Sequence, residues 1–306
     1  MQATQRITKA LVESLTTTEL LESWDISLRS QGKSGRTIES YYLAVTQLDA
    51  HVGGKPPAEI ARTDIEGFLA QVLATRASAT ARQRYASLKQ FFKWLEEENE
   101  IPSNPMEKMK PPKVVEKPVP VLTTDEIRRL LAACKAGPPF EAARDTALIL
   151  MFLDTGVRLG EMIGLKQTDL DLKLQVAVVT GKGSKMRTVP YGRTTAAALD
   201  RYRRRRRGHK FSDSSAFWIG QKGDLTGSGI AQLLVRRCRD ADLERIHPHQ
   251  FRHTFAHRWL TAGGNEGDLQ RIAGWSSGQM IERYGASAAD ERAREAYRRI
   301  DMYEDL

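Results

Sequence analysis

The sequence predicts a mainly α-helical protein with one small antiparallel β-sheet in its second half, an α+β fold. Apolar residues recur at helical spacing through most of the chain, and only one pair of β-branched segments flanks a glycine-rich tip. A proline cluster divides the two halves. The length of 306 residues also favours two domains.

Four amphipathic helical segments occupy the first hundred residues. The first segment begins at the capping box Thr16-x-x-Glu19, and the third begins at a second one, Thr63-x-x-Glu66. The fourth runs from Thr80 to Glu98, with its aromatic residues on one face. We expect these helices to form a four-helix domain over residues 1–104, with the aromatic side chains in its core.

A proline-rich segment follows this helical domain. Five prolines fall within sixteen residues: Pro105, Pro111, Pro112, Pro118 and Pro120. Such a segment is incompatible with a helix interior or a central strand. We therefore predict a semi-extended linker over residues 105–120 and a second domain over residues 121–306.

The second domain begins with a third capping box, Thr123-x-x-Glu126, followed by an apolar helix from Arg144 to Leu153. The residues Asp169–Lys173 are typical of a turn. The β-branched Val176–Val179 and Met186–Tyr191 then flank a glycine-rich basic stretch, which predicts a β-hairpin with a basic tip. The rest of the chain is predicted to be mostly helical.

Composition excludes several classes of protein. No apolar run reaches the roughly 18–20 residues of a membrane span, and the N-terminus lacks a signal-peptide core, so we expect a cytoplasmic protein without a membrane partner. Two cysteines, Cys134 and Cys238, are too few for a disulfide framework or a structural zinc site. Both lie in helical patterns and are expected to be buried thiols.

The positive charge is concentrated in the second half of the chain. The formal net charge is +9, with 47 basic and 38 acidic residues. Residues 1–110 hold 14 of each, so the whole excess lies in residues 111–306. A sequence pI near 9.6 favours a polyanionic partner such as nucleic acid.

Histidines cluster in a single stretch near the C-terminal end. His249, His253 and His257 are spaced by four residues, as metal ligands on one helix face are, but no acidic residue lies between Glu244 and Glu266. The pattern therefore disfavours a metal site. Alternatively, His249 and Arg252 share one face, and a fixed cation beside a titratable ring suits a phosphate.

Three basic stretches have simple alternative interpretations. The tip Gly181–Lys185 does not match a phosphate-binding P-loop, so use of ATP is unsupported. The run Arg203–Arg207 is interpreted as a solvated helix end or a non-specific phosphate-binding patch. Four cations recur along the fourth helix, either as a phosphate-binding face or as ordinary solvated surface: Arg82, Arg84, Lys89 and Lys93.

Four short motifs occur in a fixed order in the second domain. They are Thr155–Glu161, Gly181–Arg187, His249–Ala256 and Ala273–Ser277, and the pair Arg283-Tyr284 follows nine residues beyond Trp275. This ordered set strongly resembles the tyrosine recombinase, or phage integrase, family with an Xer-like two-domain architecture. The resemblance implies a SAM-like core-binding domain that contacts DNA, followed by a catalytic domain.

The resemblance implies that DNA strands are cut and rejoined through a covalent 3′-phosphotyrosine. Tyr284 is the implied nucleophile, favoured over Tyr297 and Tyr303 by its spacing from the last motif. Arg158 and Arg252 are implied to clamp the non-bridging phosphate oxygens.

Three further residues are implied to complete the site. Lys182 is the implied general acid and His249 the implied general base. Trp275 stands where many members of the family have histidine; its indole N–H still offers a hydrogen bond, but it transfers no proton. Glu161 matches a position that orients the site through a structural bond.

The resemblance also implies partners and a biological role. The expected partners are double-stranded recombination sites, a homotetramer on DNA coupled by the tail 290–306, and directionality or accessory proteins; no cofactor, metal or ATP is expected. The preferred role is a phage or mobile-element integrase, and the alternative is an Xer-like resolvase of chromosome or plasmid dimers. A binding-only relative and a metal-dependent nuclease are more distant alternatives. An arm-binding third domain is expected to be absent.

Overall fold

The computed structural model describes residues 15–114, 120–275 and the single positions 278, 281, 289, 293, 294, 297 and 298. The chain divides into two compact units, Met1–Lys117 and Pro118–Leu306, each with its own hydrophobic core. The predicted fold, mainly helical with a small antiparallel sheet, is confirmed. Among the described helices, none has the length and apolar character of a membrane span.

In the described part of the first unit, residues 15–114, there are four α-helices: α1 (Thr17–Ser30), α2 (Gly35–Val52), α3 (Arg62–Thr75) and α4 (Ser78–Glu97). The capping box at Thr16 is confirmed, with the Glu19 carboxylate accepting from the Thr16 backbone amide at 2.8 Å. Trp24 lies at the centre of the core, with its ring centroid 5.3 Å from that of Tyr41 and 5.1 Å from that of Phe91. The aromatic residues are therefore core, as predicted.

The predicted capping box of the third helix is wrong. α3 begins at Arg62, and the Asp64 carboxylate accepts from the backbone amide of Ala61 at 2.8 Å. Lys55 also donates to that carboxylate at 2.9 Å. An ionised carboxylate with a cationic partner outcompetes a threonine hydroxyl for the helix N-terminus, so Thr63 is left inside the helix.

The beginning of the proline-rich segment packs on the first unit. Met106 and Met109 are buried in its core, and the Tyr85 hydroxyl donates to the Met109 carbonyl at 2.5 Å. These contacts belong to the first unit although they fall inside the stretch 105–120 that the sequence suggests as linker.

Over residues 120–275, seven α-helices build most of the second unit: α5 (Thr124–Lys135), α6 (Pro139–Thr155), α7 (Leu159–Gly164), α8 (Arg193–Arg206), α9 (Gly227–Asp240), α10 (Pro248–Thr261) and α11 (Glu266–Ala273). α6 is longer than predicted, because Pro139 is well suited to a first turn and the left-handed Gly156 ends the helix. It packs against α5, α8 and α10 and so forms the centre of this core. The two cysteines are buried as predicted, and burial raises the pKa of Cys134 to about 12.

The sheet has three antiparallel strands in the order β1 (Leu170–Asp171), β2 (Val176–Thr180) and β3 (Met186–Pro190). The predicted hairpin is confirmed, with Val179 opposite Arg187. The turn predicted at 169–173 is partly wrong, because Leu170 and Asp171 pair with β2. A second two-stranded sheet, β4 (Ile219–Gly220) with β5 (Gly223–Asp224), is too short to leave a periodic sequence pattern.

The arginine run at the end of α8 is not uniformly solvated. Arg206 is only 3% exposed, whereas Arg203 and Arg204 lie at the surface and pair with Asp200. The Arg206 guanidinium donates to four backbone carbonyls, those of Ser212, Ser214, Ala216 and Phe217, at 2.6, 2.7, 2.8 and 3.2 Å. Arg206 therefore holds the segment that leads into β4.

Replacing Arg206 by Ala leaves these four carbonyls without their donor. We expect the free energy of unfolding of this unit to fall by about 3 kcal/mol, which lowers the melting temperature by roughly 6–12 °C. Arg203→Ala, on the solvated side of the same helix, is the control and should change it by less than about 2 °C. Equal melting temperatures for the two variants in differential scanning calorimetry would contradict the structural role of Arg206.

Candidate active site

Three arginines converge on the last three carbonyls at the end of α11. Arg187 donates through Nε to the Ile272 oxygen at 2.8 Å, Arg252 through Nη2 to the Ala273 oxygen at 2.6 Å, and Arg158 through Nη2 to the Gly274 oxygen at 3.1 Å. The C-terminus of a helix carries partial negative charge and unpaired carbonyls. It therefore gathers cations from three separate elements: a strand, α10 and the start of α7.

Arg252 joins two helix ends. Besides the Ala273 carbonyl, its Nη1 donates to the Gly156 carbonyl at 2.8 Å, at the end of α6. The side chain is almost fully buried, and its guanidinium carbon lies 5.2 Å from the Trp275 ring centroid. Both helix ends and the aromatic face favour a cation here.

The two glycines whose carbonyls accept from Arg252 and Arg158 lie where a larger residue would not fit. Gly156 and Gly274 have φ of 58° and 65°, in the left-handed region. A β-carbon on Gly156 would lie 2.5 Å from the Phe255 ring, and one on Gly274 would lie 2.9 Å from the Arg187 guanidinium. Gly156 in the first motif and Gly274 in the last motif therefore end their helices, and they also allow a neighbouring side chain to approach the backbone closely.

Glu161 lies between two of the arginines. Its side chain is 2% exposed and accepts from Arg187 at 2.6 and 2.9 Å and from Arg158 Nη1 at 3.0 Å. Its second oxygen also caps α7 through the Arg158 amide at 2.8 Å. Burial acts to raise the pKa of Glu161, but hydrogen bonds from Arg187 and Arg158 outweigh it and hold the pKa below its ordinary value.

Of the three arginines, Arg158 is the most exposed to solvent. Its side chain is 45% exposed, against 15% for Arg187. Arg158 is tied by one donor to Glu161 and by another to Gly274, so its orientation is fixed while one side faces solvent. Such a guanidinium is positioned to receive an anion.

The first turn of α10 carries His249, which is exposed, three residues before Arg252. The His249 ring centroid lies 4.8 Å from that of His253, which is buried. No group of three or more histidine, cysteine, aspartate or glutamate side chains in the described part of the chain is suited to a metal ion.

Lys182 follows β2 at the tip of the hairpin, in the short 3-10 turn Lys182–Ser184. The Gly181 amide donates to the Lys185 carbonyl at 2.8 Å and closes this tip. A β-carbon on Gly181 would lie 3.3 Å from a Glu161 oxygen, so the backbone before Lys182 lies against that carboxylate. The structure thus brings the hairpin, Glu161 and the end of α11 together. Tyr284 lies outside the described residues.

Sequence reasoning missed the role of Arg187. It ends the second motif, Gly181–Arg187, but its strand position gives no sign of which groups it contacts. The proposed basic face of α4 also needs revision, because Arg84 is buried and donates to Gln47 at 2.7 Å. Arg82, Lys89 and Lys93 remain exposed there.

Comparisons with known proteins agree on one family. Residues 120–291 match the phage integrase family model, and residues 20–100 match a phage integrase N-terminal SAM-like domain. The tyrosine recombinase XerD of Listeria monocytogenes serotype 4b (strain F2365) is 30% identical over 254 residues, which cover 80% of this chain and 85% of that protein.

Two solved structures of recombinases match the fold of this chain. The crystal structure of XerA recombinase matches with a TM-score of 0.53 at 26% identity, covering 93% of this chain and 99% of that one. A lambda integrase tetramer bound to a Holliday junction matches with a TM-score of 0.72 at 17% identity, covering 89% and 81%. At that identity the second match concerns the fold alone.

Glu161→Gln should remove a pH-dependent part of the stability. Because the pKa of Glu161 is lowered in the folded chain, its stabilisation is complete above the ordinary glutamate pKa of about 4.3 and is lost as the pH falls through the folded value. The melting temperature of the variant should therefore differ most from wild type near neutral pH, and the two should converge on acidification. A difference that stays constant down to about pH 3 would contradict this.

Proposed function

The chain belongs to the phage integrase family and is a site-specific tyrosine recombinase, and we propose that Arg158, Lys182, His249, Arg252, Trp275 and Tyr284 form its active site. The convergence of three arginines on the end of α11 is the observation that carries this proposal. The three guanidiniums supply concentrated positive charge at the end of α11, and in the sequence Trp275 follows directly and Tyr284 nine residues later.

The arginines account for activation of the phosphate. The Tyr284 oxygen attacks the scissile phosphorus, and the bond from phosphorus to the 5′ oxygen breaks. Negative charge grows on the non-bridging oxygens in the transition state, where Arg158 and Arg252 neutralise it. Because both guanidiniums are already held by helix-end carbonyls, little reorganisation is needed when this charge develops.

Proton transfer is assigned to two residues. His249 accepts the phenolic proton of Tyr284, and Lys182 donates a proton to the departing 5′ oxygen, which leaves as a hydroxyl. Trp275 contributes an indole N–H as hydrogen-bond donor to the phosphate and packs on Arg252, but it does not transfer a proton. In the second half of the reaction, a partner strand's 5′-hydroxyl attacks the phosphotyrosine and releases the enzyme. The bond energy is conserved, so neither ATP nor a metal is required.

Tyr284→Phe should abolish the covalent DNA adduct while leaving DNA affinity within about twofold, because only the nucleophilic oxygen is lost. Adducts are trapped on a nicked suicide duplex in EDTA and seen as a mobility shift in denaturing gels. Tyr297→Phe, a tyrosine that is 62% exposed, is the matched control and should form adducts at the wild-type rate. Adducts that persist in Tyr284→Phe would remove it as nucleophile, and EDTA-sensitive cutting would favour a metal-dependent nuclease.

The DNA partner would be held by both units. We propose that double-stranded recombination sites contact Arg82, Lys89 and Lys93 on α4 in the first unit. The catalytic arginines would hold the scissile phosphate in the second. The integrase structure that matches on a Holliday junction is a tetramer, and we propose a homotetramer on DNA for this chain as well. Directionality or accessory proteins are a further proposed partner class.

An apolar cavity in the second unit offers a place for coupling between protomers. It has a volume of about 560 Å³. Its walls include Leu150, Leu153, Phe255, Trp259 and Ile272. In the tail 290–306, the Tyr297 side chain is 62% exposed. We propose that the tail of one protomer enters this cavity of the next.

Tyr297→Ala, or deletion of residues 290–306, should weaken four-protomer assembly on a Holliday junction by about tenfold or more, because an aromatic anchor is lost from the interface. Leu153→Gln in the cavity should have the same effect. Analytical ultracentrifugation with labelled junctions measures the assembly, and a single-site duplex provides the control for monomer binding. Unchanged tetramer formation in all three variants would contradict tail docking.

We propose one preferred biological role and one alternative. The preferred role is integration of a phage or mobile element, in the cytoplasm of a bacterial cell. The alternative, resolution of chromosome or plasmid dimers, is favoured by the similarity to XerD over most of both chains. Sequencing of recombined junctions in the host separates the two. Integration joins an element to a new locus, whereas resolution recombines identical sites.

A further inference from the structure

Arg187 is the arginine of the site that faces inward. All three of its nitrogens are engaged: Nε with the Ile272 carbonyl, and Nη1 and Nη2 with the two oxygens of Glu161. Its side chain is 15% exposed, and the left-handed Gly274 lies against the guanidinium plane. Each guanidinium nitrogen of Arg187 therefore has a protein partner, whereas Arg158 is 45% exposed.

The position of Arg187 in the hairpin is equally specific. It is the second residue of β3, opposite Val179, and therefore lies at the base of the tip. Glu161, which Arg187 binds with two hydrogen bonds, lies against Gly181, immediately before Lys182. The guanidinium thus links the lysine-bearing tip, the start of α7 and the end of α11.

We propose that Arg187 is a positioning residue that fixes the lysine-bearing hairpin against the end of α11 and so sets the place of Lys182 relative to the scissile phosphate. This inference rests on the proposed role of Lys182 as general acid. A rigid two-pronged donor is required, because a lysine ammonium in this place pairs with Glu161 but does not span both its oxygens and the Ile272 carbonyl.

Arg187 also shares with Arg158 the negative charge of Glu161. Glu161 is shared by both guanidiniums, so part of its negative charge is satisfied by Arg187. If Arg187 is removed, the buried carboxylate is left with Arg158 as its guanidinium partner and draws that side chain inward. A lysine at position 187 keeps a positive charge beside Glu161, so Arg187→Lys tests the anchoring of the hairpin without this loss of charge.

The test uses Arg187→Lys in the full chain, with cleavage measured at saturating DNA on two suicide substrates. One has the natural 5′ bridging oxygen, and in the other sulfur replaces this oxygen. A thiol has a pKa near 8.5 and leaves as thiolate without a donated proton. A defect in the placement of Lys182 should therefore slow the oxygen substrate much more than the sulfur substrate.

We expect Arg187→Lys to cleave the oxygen substrate about 10–100-fold more slowly than wild type, since a displacement of about 1 Å has effects of this size. The sulfur substrate should slow by less than about threefold. The ratio of the two rates comes from one protein preparation, so partial unfolding cancels. Arg206→Lys is the matched control, because Arg206 is also a buried arginine bonded to carbonyls; its ratio should equal that of wild type.

Two results would overturn the inference while leaving the proposed function intact. One is an unchanged rate for Arg187→Lys on both substrates. The other is an equal loss on both, which would place the effect of Arg187 on the phosphate clamp and not on the general acid. A wild-type chain that forms no adduct through Tyr284 would overturn the proposed function itself, and this inference with it.

Discussion

The second unit depends on how three positive charges are held at one helix end. Arg158, Arg187 and Arg252 would repel one another in an apolar interior. Each has a carbonyl of α11 as partner, and the buried carboxylate of Glu161 lies between two of them. Three guanidiniums and one carboxylate leave this cluster with a net charge of +2. On the proposed function, a DNA phosphodiester would bring one negative charge to this cluster, and the net positive charge would favour its binding.

The core of the second unit is organised to support this cluster. α6 is buried along most of its length, and its C-terminal Gly156 presents a carbonyl to Arg252. Phe255, one turn beyond Arg252 on α10, fills the space that a side chain at Gly156 would need. The same close packing that stabilises the core thus fixes the position of the Arg252 guanidinium, for which we propose a catalytic role.

Sequence reasoning captured the elements better than the contacts between them. The capping boxes at Thr16 and Thr123 and the hairpin were predicted because their signals are local and periodic. The true cap of α3 was missed because Asp64 competes with a nearby threonine for the helix N-terminus. Sequence spacing does not show which of the two side chains makes the stronger hydrogen bond. Arg187 and Arg206 were missed because spacing does not reveal their partners. Arg187 binds Glu161 and the Ile272 carbonyl, which are distant along the chain, and Arg206 binds backbone carbonyls of the following loop, which any residue type supplies.

The tryptophan at position 275 makes the hairpin anchor more important. At position 275, where the family resemblance implies histidine in many members, this chain has an indole that packs on Arg252 but transfers no proton. On the proposed roles, protonation of the leaving oxygen then rests on Lys182 alone, and a residue at a hairpin tip is only as well placed as the base of that hairpin. The link from Arg187 through Glu161 to Gly181 supplies the placement. On the proposed roles, a histidine at position 275 would add a second proton carrier near the phosphate and would lessen the dependence on this link.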